Sequence, residues 1–284
     1  MAIGKLIYDY SKTDGAHQSY IKSYDMDYRL PDCDACFEIH RQADLENTGP
    51  LHPTWQNNRS FMADNDTDFD INPKVPFSKY PDSPFYKAAL GVYEESKTVN
   101  PGNKKYIIAN FWDDAAGFTY TAPGHSAAIL TMVLRESPKS IEKAAELYCR
   151  LGLALNDAII CSWKGKMKHN LIRPVAYINR YIDSSWEPKL LTPPFPEFPS
   201  GHSVQSAAMA QVLTSTIGKS VSFIDYSKFW VGEPRKFNSF WEAANETSIS
   251  RFFGGIHYMD ALDQGQDMGK LVGANILKLK FRRE

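Results

Sequence analysis

Along the second two thirds of the chain, apolar residues return every three or four positions, the period of a helix with one buried face. The clearest run is 139-KSIEKAAELYCRLGLALNDAIICSWKGKMKHNLI-172, where Ile141, Ala144, Ala145, Tyr148, Leu151, Leu155, Ile159 and Ser162 make one stripe. Shorter helical patterns occupy 85–96, 104–115, 125–137, 202–217, a stretch around 238–252, and 258–280. Alternating runs of β-branched residues, the mark of strands, are almost absent. Before residue 85 the pattern changes. Prolines at 31, 50, 53, 73, 76, 81 and 84 and the polar run 63-ADNDTDFDINP-73 leave little room for long regular elements. The expectation is an all-α fold in a single domain over 1–284: a loop-rich wrapping segment, 1–84, around a helical core, 85–284.

Composition narrows the function classes. Of the 284 residues 43% are hydrophobic and 23% charged, with a formal net charge of -1. Without a basic surplus, nucleic acid is not an expected partner. No run of about 18 apolar residues is present, so no membrane insertion is expected. The opening MAIGKLIYDYSKTDG lacks the apolar stretch of a signal peptide. Cys33 and Cys36 form a C-x-x-C without a second pair or a βαβ context, which favours loop or core cysteines over a metal or redox site. Cys149 and Cys161 fall within a helical pattern.

Three blocks could carry chemistry. In 194-PFPEFPSGHS-203, Ser200 stands at an N-cap position and Gly201 and His202 open the next helix. Free N–H groups and a positive dipole end make such a terminus suited to an anion; taken alone, a plain helix cap is the simpler reading. In 163-WKGKMKHNLIRP-174, Lys166 and Arg173 are seven apart, two helical turns, which places them on one face with Trp163 close by. A solvated basic helix end would look the same. In 250-SRFFGGIHYMD-260, Gly254 and Gly255 break the helix and allow Arg251 and His257 to converge. Together the blocks supply the parts of one oxyanion cage. Lys166, Arg173 and Arg251 neutralise the charge, Ser200 and the Gly201 N–H hold further oxygens, and His202 and His257 remain for acid–base and ligand or nucleophile roles.

The order K-x6-R-P, P-S-G-H, S-R-x5-H resembles the superfamily shared by vanadium-dependent haloperoxidases and type 2 phosphatidic acid phosphatases. Lesser resemblance to bacterial, iodoperoxidase-like members extends through 6-LIYDYSKTDGAH-17, 51-LHPTWQNNRSF-61 and 108-IANFWDDAAG-117. The resemblance implies a helical bundle, and vanadate as cofactor with its oxygens held by Lys166, Arg173, Ser200, Gly201, His202 and Arg251. His257 would bind the metal and His202 would act as acid–base. Trp163 and Phe195 look like the aromatic pair lining the halide side. The implied reaction is oxidation of halide by hydrogen peroxide to a hypohalous species that halogenates small organic acceptors, with iodide favoured and bromide possible. A periplasmic or extracellular location is expected on the same ground.

The pattern also departs from the family. The phosphatase signature places an acid four residues after the last histidine, where this chain has Ala261; Asp260 comes at three. An acid beside an F-W pair often supports the second arginine, and Asp114 in 111-FWDD-114 is preferred here over Asp113. The stretch 121-TAPGHSAAIL-130 imitates P-S-G-H but lacks the serine, so His125 reads as a helix-start residue and not a ligand. Two alternatives stand beside the peroxidase: a soluble acid phosphatase with a phosphohistidine at His257, and an oxyanion binder without catalysis.

Overall fold

The computed structural model describes residues 2–17, 27–39, 49–62, 69–115, 119–226 and 233–281. The polar run 63–73 therefore lies partly outside the described residues, as does part of 108–117. Helices dominate: α1 (Ala2–Ser11), α2 (Pro84–Thr98), α3 (Lys104–Phe111), α4 (Ala122–Glu136), α5 (Ile141–His169), α6 (Pro174–Tyr181), α7 (Gly201–Thr216), α8 (Phe240–Phe253) and α9 (Met259–Ile276). The only strands among the described residues are β1 (Phe223–Asp225) and β2 (Arg235–Phe237), an antiparallel pair. The all-α expectation is met.

Helix starts follow local chemistry. Ser83, Asn103, Ser140, Ser200 and Ser239 each cap a helix by accepting from the backbone N–H three residues on, which satisfies donors that have no helical partner. Several boundaries differ from the pattern reading. The helix expected over 104–115 ends at Phe111, so Asp113 and Asp114 sit beyond it. The long helix, expected to run to 172, ends at His169 with Asn170 left-handed at φ 43°, and Pro174 begins α6, a helix the pattern did not indicate. Arg173 therefore shares no helix face with Lys166. An extended segment, not a common face, brings it to the site.

The α5 stripe is also phased differently. Ile141 and Tyr148 are exposed, at 81% and 40%, while Leu147, Leu151, Ala154, Leu155, Ala158 and Cys161 are buried. The period was legible, but the first turns of this 29-residue helix project past the core. The main core joins α3, α4, α5, α7, α8 and α9 with β1 and β2, and a second cluster joins α2 and α6 to Phe198 and Tyr258.

Helix α7 lies between α5, α8 and α9. Its backbone meets α9 so closely that a Cβ on Gly269 would fall 2.1 Å from the Val204 carbonyl oxygen. That contact fixes the N-terminus of α7, where the candidate site lies.

The described residues of the N-terminal segment include α1 and a 3-10 turn at Trp55–Asn57. Leu51 donates its backbone N–H to Pro194 O, and Phe61 and Met62 donate theirs to buried Asp157. Cys33 and Cys36 are joined in a disulfide. Their turn pairs with the strand-like segment before Arg173 through Phe37 N–H to Asn170 O and Ile172 N–H to Ala35 O. The disulfide-closed turn thus lies against the segment that leads to the site.

Candidate active site

The segment 192–200 crosses from α6 to α7 with prolines at 193, 194, 196 and 199. Its four prolines leave few N–H groups to pair its carbonyls within the segment, and several carbonyls turn toward Lys166 and Arg173. Fully buried Lys166 donates to three of them: Pro196 O at 2.8 Å, Glu197 O at 3.1 Å and Pro199 O at 2.6 Å. An ammonium has three donors, so all are engaged. In this arrangement Lys166 braces the loop instead of presenting a free N–H to a ligand. Burial drives its pKa far below the usual lysine value, and the charge of Arg173 adds to this.

Arg173 is held by its own donors. Nε donates to Phe195 O at 2.9 Å, and Nη1 donates to Ile256 O at 2.8 Å and lies 3.1 Å from His257 Nε2. Its Nη2 is buried and has no protein partner. Burial lowers its pKa to about 10, which leaves it charged at neutral pH. Arg251 donates from Nε to Ser250 Oγ and from Nη2 to the carbonyls of Ala109 and Trp112.

The turn through Gly254 and Gly255, the latter at φ +77°, separates α8 from α9 as the sequence suggested. His257 arrives just before α9. Its Nδ1 lies 2.8 Å from Glu197 Oε1, which also accepts the Tyr258 N–H at 3.0 Å. An oxygen already accepting a backbone N–H fixes the proton on Nδ1 and leaves the Nε2 lone pair toward Arg173. Burial, then the charges of Arg173, Lys166 and Arg251, hold His257 far below its ordinary pKa. The ring is neutral. Burial pushes Glu197 up to about 7, against the pull of Arg173 and Lys166.

Glu197 was missed in sequence reasoning, although it is the one acid in 194-PFPEFPSGHS-203. Asp260, the sequence neighbour, instead accepts the backbone N–H groups of Lys74 and Val75.

At the start of α7, buried Ser200 accepts the Ser203 N–H and donates its own N–H to Ala261 O. A side chain on Gly201 would meet Ser162 Oγ at 3.7 Å and the Trp163 ring at 3.9 Å, so those residues flank the terminus. His202 keeps 23% of its side chain exposed. Its Nε2 is buried without a hydrogen bond, 3.5 Å from Asp114 Oδ2. Burial and Arg251 lower its pKa, while Asp114 and Asp113 oppose them.

Trp163 and Phe195 pack with ring centroids 5.0 Å apart, and Phe195 lies 5.0 Å from both the Lys166 and the Arg173 cations. Trp55, with His52 stacked on it at 4.0 Å, extends the aromatic wall beyond Trp163. Trp163 Nε1 is buried and unpartnered. A cavity of about 640 Å³ along the Cys161–Lys168 edge of α5 contains none of the cage residues.

Asp114 takes an unforeseen place. Its Oδ1 bonds His125 Nδ1 at 3.0 Å and its Oδ2 faces His202. Arg251 feels the charges of both Asp113 and Asp114. His125 does sit in the first turn of α4, yet it is buried, not a surface cap. No signal near P-G-H pointed to its second partner, Asp225, a hundred residues away.

Residues 146–282 match the family described as the VCPO second helical-bundle domain. The fold is similar to that of a bacterial vanadium-dependent iodoperoxidase, with a TM-score of 0.89 and 33% identity over 96% of this chain. The chain spans 66% of that protein's length. Holo and apo forms of a bacterial vanadium-dependent chloroperoxidase superpose with TM-scores of 0.74 and 0.77 over 96% of this chain. They cover 70% and 71% of that protein at 15% identity, a likeness of fold. No curated protein sequence matches the chain.

Proposed function

Since the chain belongs to the vanadium-dependent haloperoxidase family, we propose that it uses vanadate to oxidise halide with hydrogen peroxide, iodide in preference to bromide. The observation that carries this reading is an unmatched donor. Arg173 Nη2 is buried without a partner, close to a neutral His257 whose Nε2 faces Arg173. Buried Arg173 and Arg251, with Lys166 beside them, give the pocket a cationic lining that favours a multiply charged oxyanion. Vanadate fits that donor set, because it takes charge-assisted bonds at its oxygens and one imidazole at the metal.

In this reading Arg173, Arg251, Ser200 and the Gly201 N–H hold the oxygens. Lys166 supplies charge and braces the loop that presents Ser200. His257 is the ligand through Nε2, with Glu197 fixing its tautomer. Bound vanadate supplies the Lewis acidity that makes hydrogen peroxide electrophilic toward halide. His202, whose Nε2 faces Asp114, takes the proton that peroxide gives up and returns it to the leaving oxygen. Trp163 and Phe195 give a large, weakly hydrated halide an apolar wall, and the Trp163 N–H is a free donor beside it.

Iodide is preferred because the 33%-identical relative is an iodoperoxidase. Small organic acceptors then react with the hypohalous product in solution. The Cys33–Cys36 disulfide supports a periplasmic or extracellular setting.

The test is direct. Vanadate-loaded protein is given peroxide with iodide, bromide or chloride, and vanadate-free protein is given a chromogenic phosphate ester. Iodide oxidation is expected to be fastest. Ester hydrolysis without vanadate, together with no halide oxidation with it, would establish the phosphatase instead.

A further inference from the structure

Beside His202, three buried side chains from three separate elements form one line. Asp225 ends β1, His125 lies in the first turn of α4, and Asp114 follows α3. His125 Nε2 is 2.8 Å from Asp225 Oδ2, and its Nδ1 is 3.0 Å from Asp114 Oδ1. The line ends at His202 Nε2, 3.5 Å from the other Asp114 oxygen. Asp114, His125 and His202 also line one internal void of about 10 Å³.

An imidazole between two carboxylates satisfies both only when both ring nitrogens carry protons. The two aspartates outweigh burial and raise the His125 pKa to about 9. Trp112 and Tyr120 lie nearly parallel to the ring, at 4.5 and 6.4 Å, and the Trp face favours a cation. Asp114 itself has φ 50°, a left-handed backbone that a residue with a Cβ adopts only at a cost. That cost is met by contacts holding the carboxylate in place.

We propose that Asp225 and His125 are positioning residues, a clamp that locks the Asp114 carboxylate against His202. The acid–base role of His202 rests on the haloperoxidase reading; the clamp does not. Among the described residues, the titratable and charged groups facing His125 are Asp114, Asp225 and the Tyr120 ring, and those acting on His202 are Asp114, Asp113 and Arg251. With the His125 cation on one oxygen, Asp114 attracts a proton on His202 less than a free carboxylate would.

The experiment is an NMR titration of the imidazoles in vanadate-free protein, wild type, His125→Gln and Asp225→Asn. In the wild type His125 should show two downfield ring N–H protons at pH 7. In folded His125→Gln, as judged by circular dichroism and melting, the His202 midpoint should rise by about one pH unit. In Asp225→Asn the His125 midpoint should fall as one carboxylate partner loses its charge. A His125 ring with a single N–H at pH 7 would overturn the clamp. So would a His202 midpoint unmoved in His125→Gln or, should that variant not fold, a His125 midpoint unmoved in Asp225→Asn. Absence of halide oxidation would sink the haloperoxidase reading and leave these titrations unaffected.

Discussion

His257 Nδ1 and Glu197 Oε1 lie 2.8 Å apart, both fully enclosed, although sixty residues separate them. The acid that fixes the ring comes from the proline-rich loop that also carries Ser200. One segment therefore sets both the ligand tautomer and the helix terminus. Glu197→Ala should weaken vanadate binding by about 10–100-fold, the usual effect of removing the carboxylate behind a ligating histidine. Asp260→Ala should leave that affinity unchanged, since Asp260 holds the backbone of Lys74 and Val75. Calorimetric titration with vanadate separates the two.

His202→Ala should keep vanadium but lose halide oxidation by about 10²–10⁴-fold, the range for a positioned acid–base. The check is metal content and iodide oxidation in one preparation. A non-catalytic binder would have no activity to lose.

Phe195→Ala removes the ring that packs on Trp163 and lies over Lys166 and Arg173. Loss of about 1 kcal/mol of contact corresponds to about a fivefold rise in KM for iodide. Steady-state kinetics at saturating peroxide measures it.

The His125 clamp should give stability a pH signature. Its folded pKa of about 9 lies above the ordinary 6.5, so the contribution is complete below pH 6.5 and is lost as pH rises through 9. The full effect is about 3 kcal/mol. Denaturant midpoints of wild type should fall across that window, and those of His125→Gln should be flatter.

Gly269→Ala would drive a methyl group into the Val204 carbonyl, 2.1 Å away. Moving α9 off α7 to relieve it should cost about 3 kcal/mol or more and displace the Ser200 terminus. Thermal melting reads the first effect and vanadate affinity the second.

What the chain made legible was local. Ser200 as a cap and the Gly254–Gly255 turn each follow from a few adjacent residues, and they deliver Gly201, His202 and His257 to the site. What was hidden depends on distant partners. Glu197 has no meaning until the turn brings His257 beneath it, and Asp225 sits on a three-residue strand too short to show alternation. The shared helix face expected for Lys166 and Arg173 does not exist, because the left-handed Asn170 ends the helix between them. Helix α1 was legible in the helical spacing of Ile3, Leu6, Ile7 and Tyr10 and was passed over, and the structure leaves all four exposed.

Vanadium retained per chain after vanadate soaking and dialysis, compared between wild type and His257→Ala, tests the central claim most directly. The cage with His257 as its ligand predicts about one vanadium per wild-type chain and loss of both metal and iodide oxidation in the variant. Full retention with full activity in His257→Ala would contradict it.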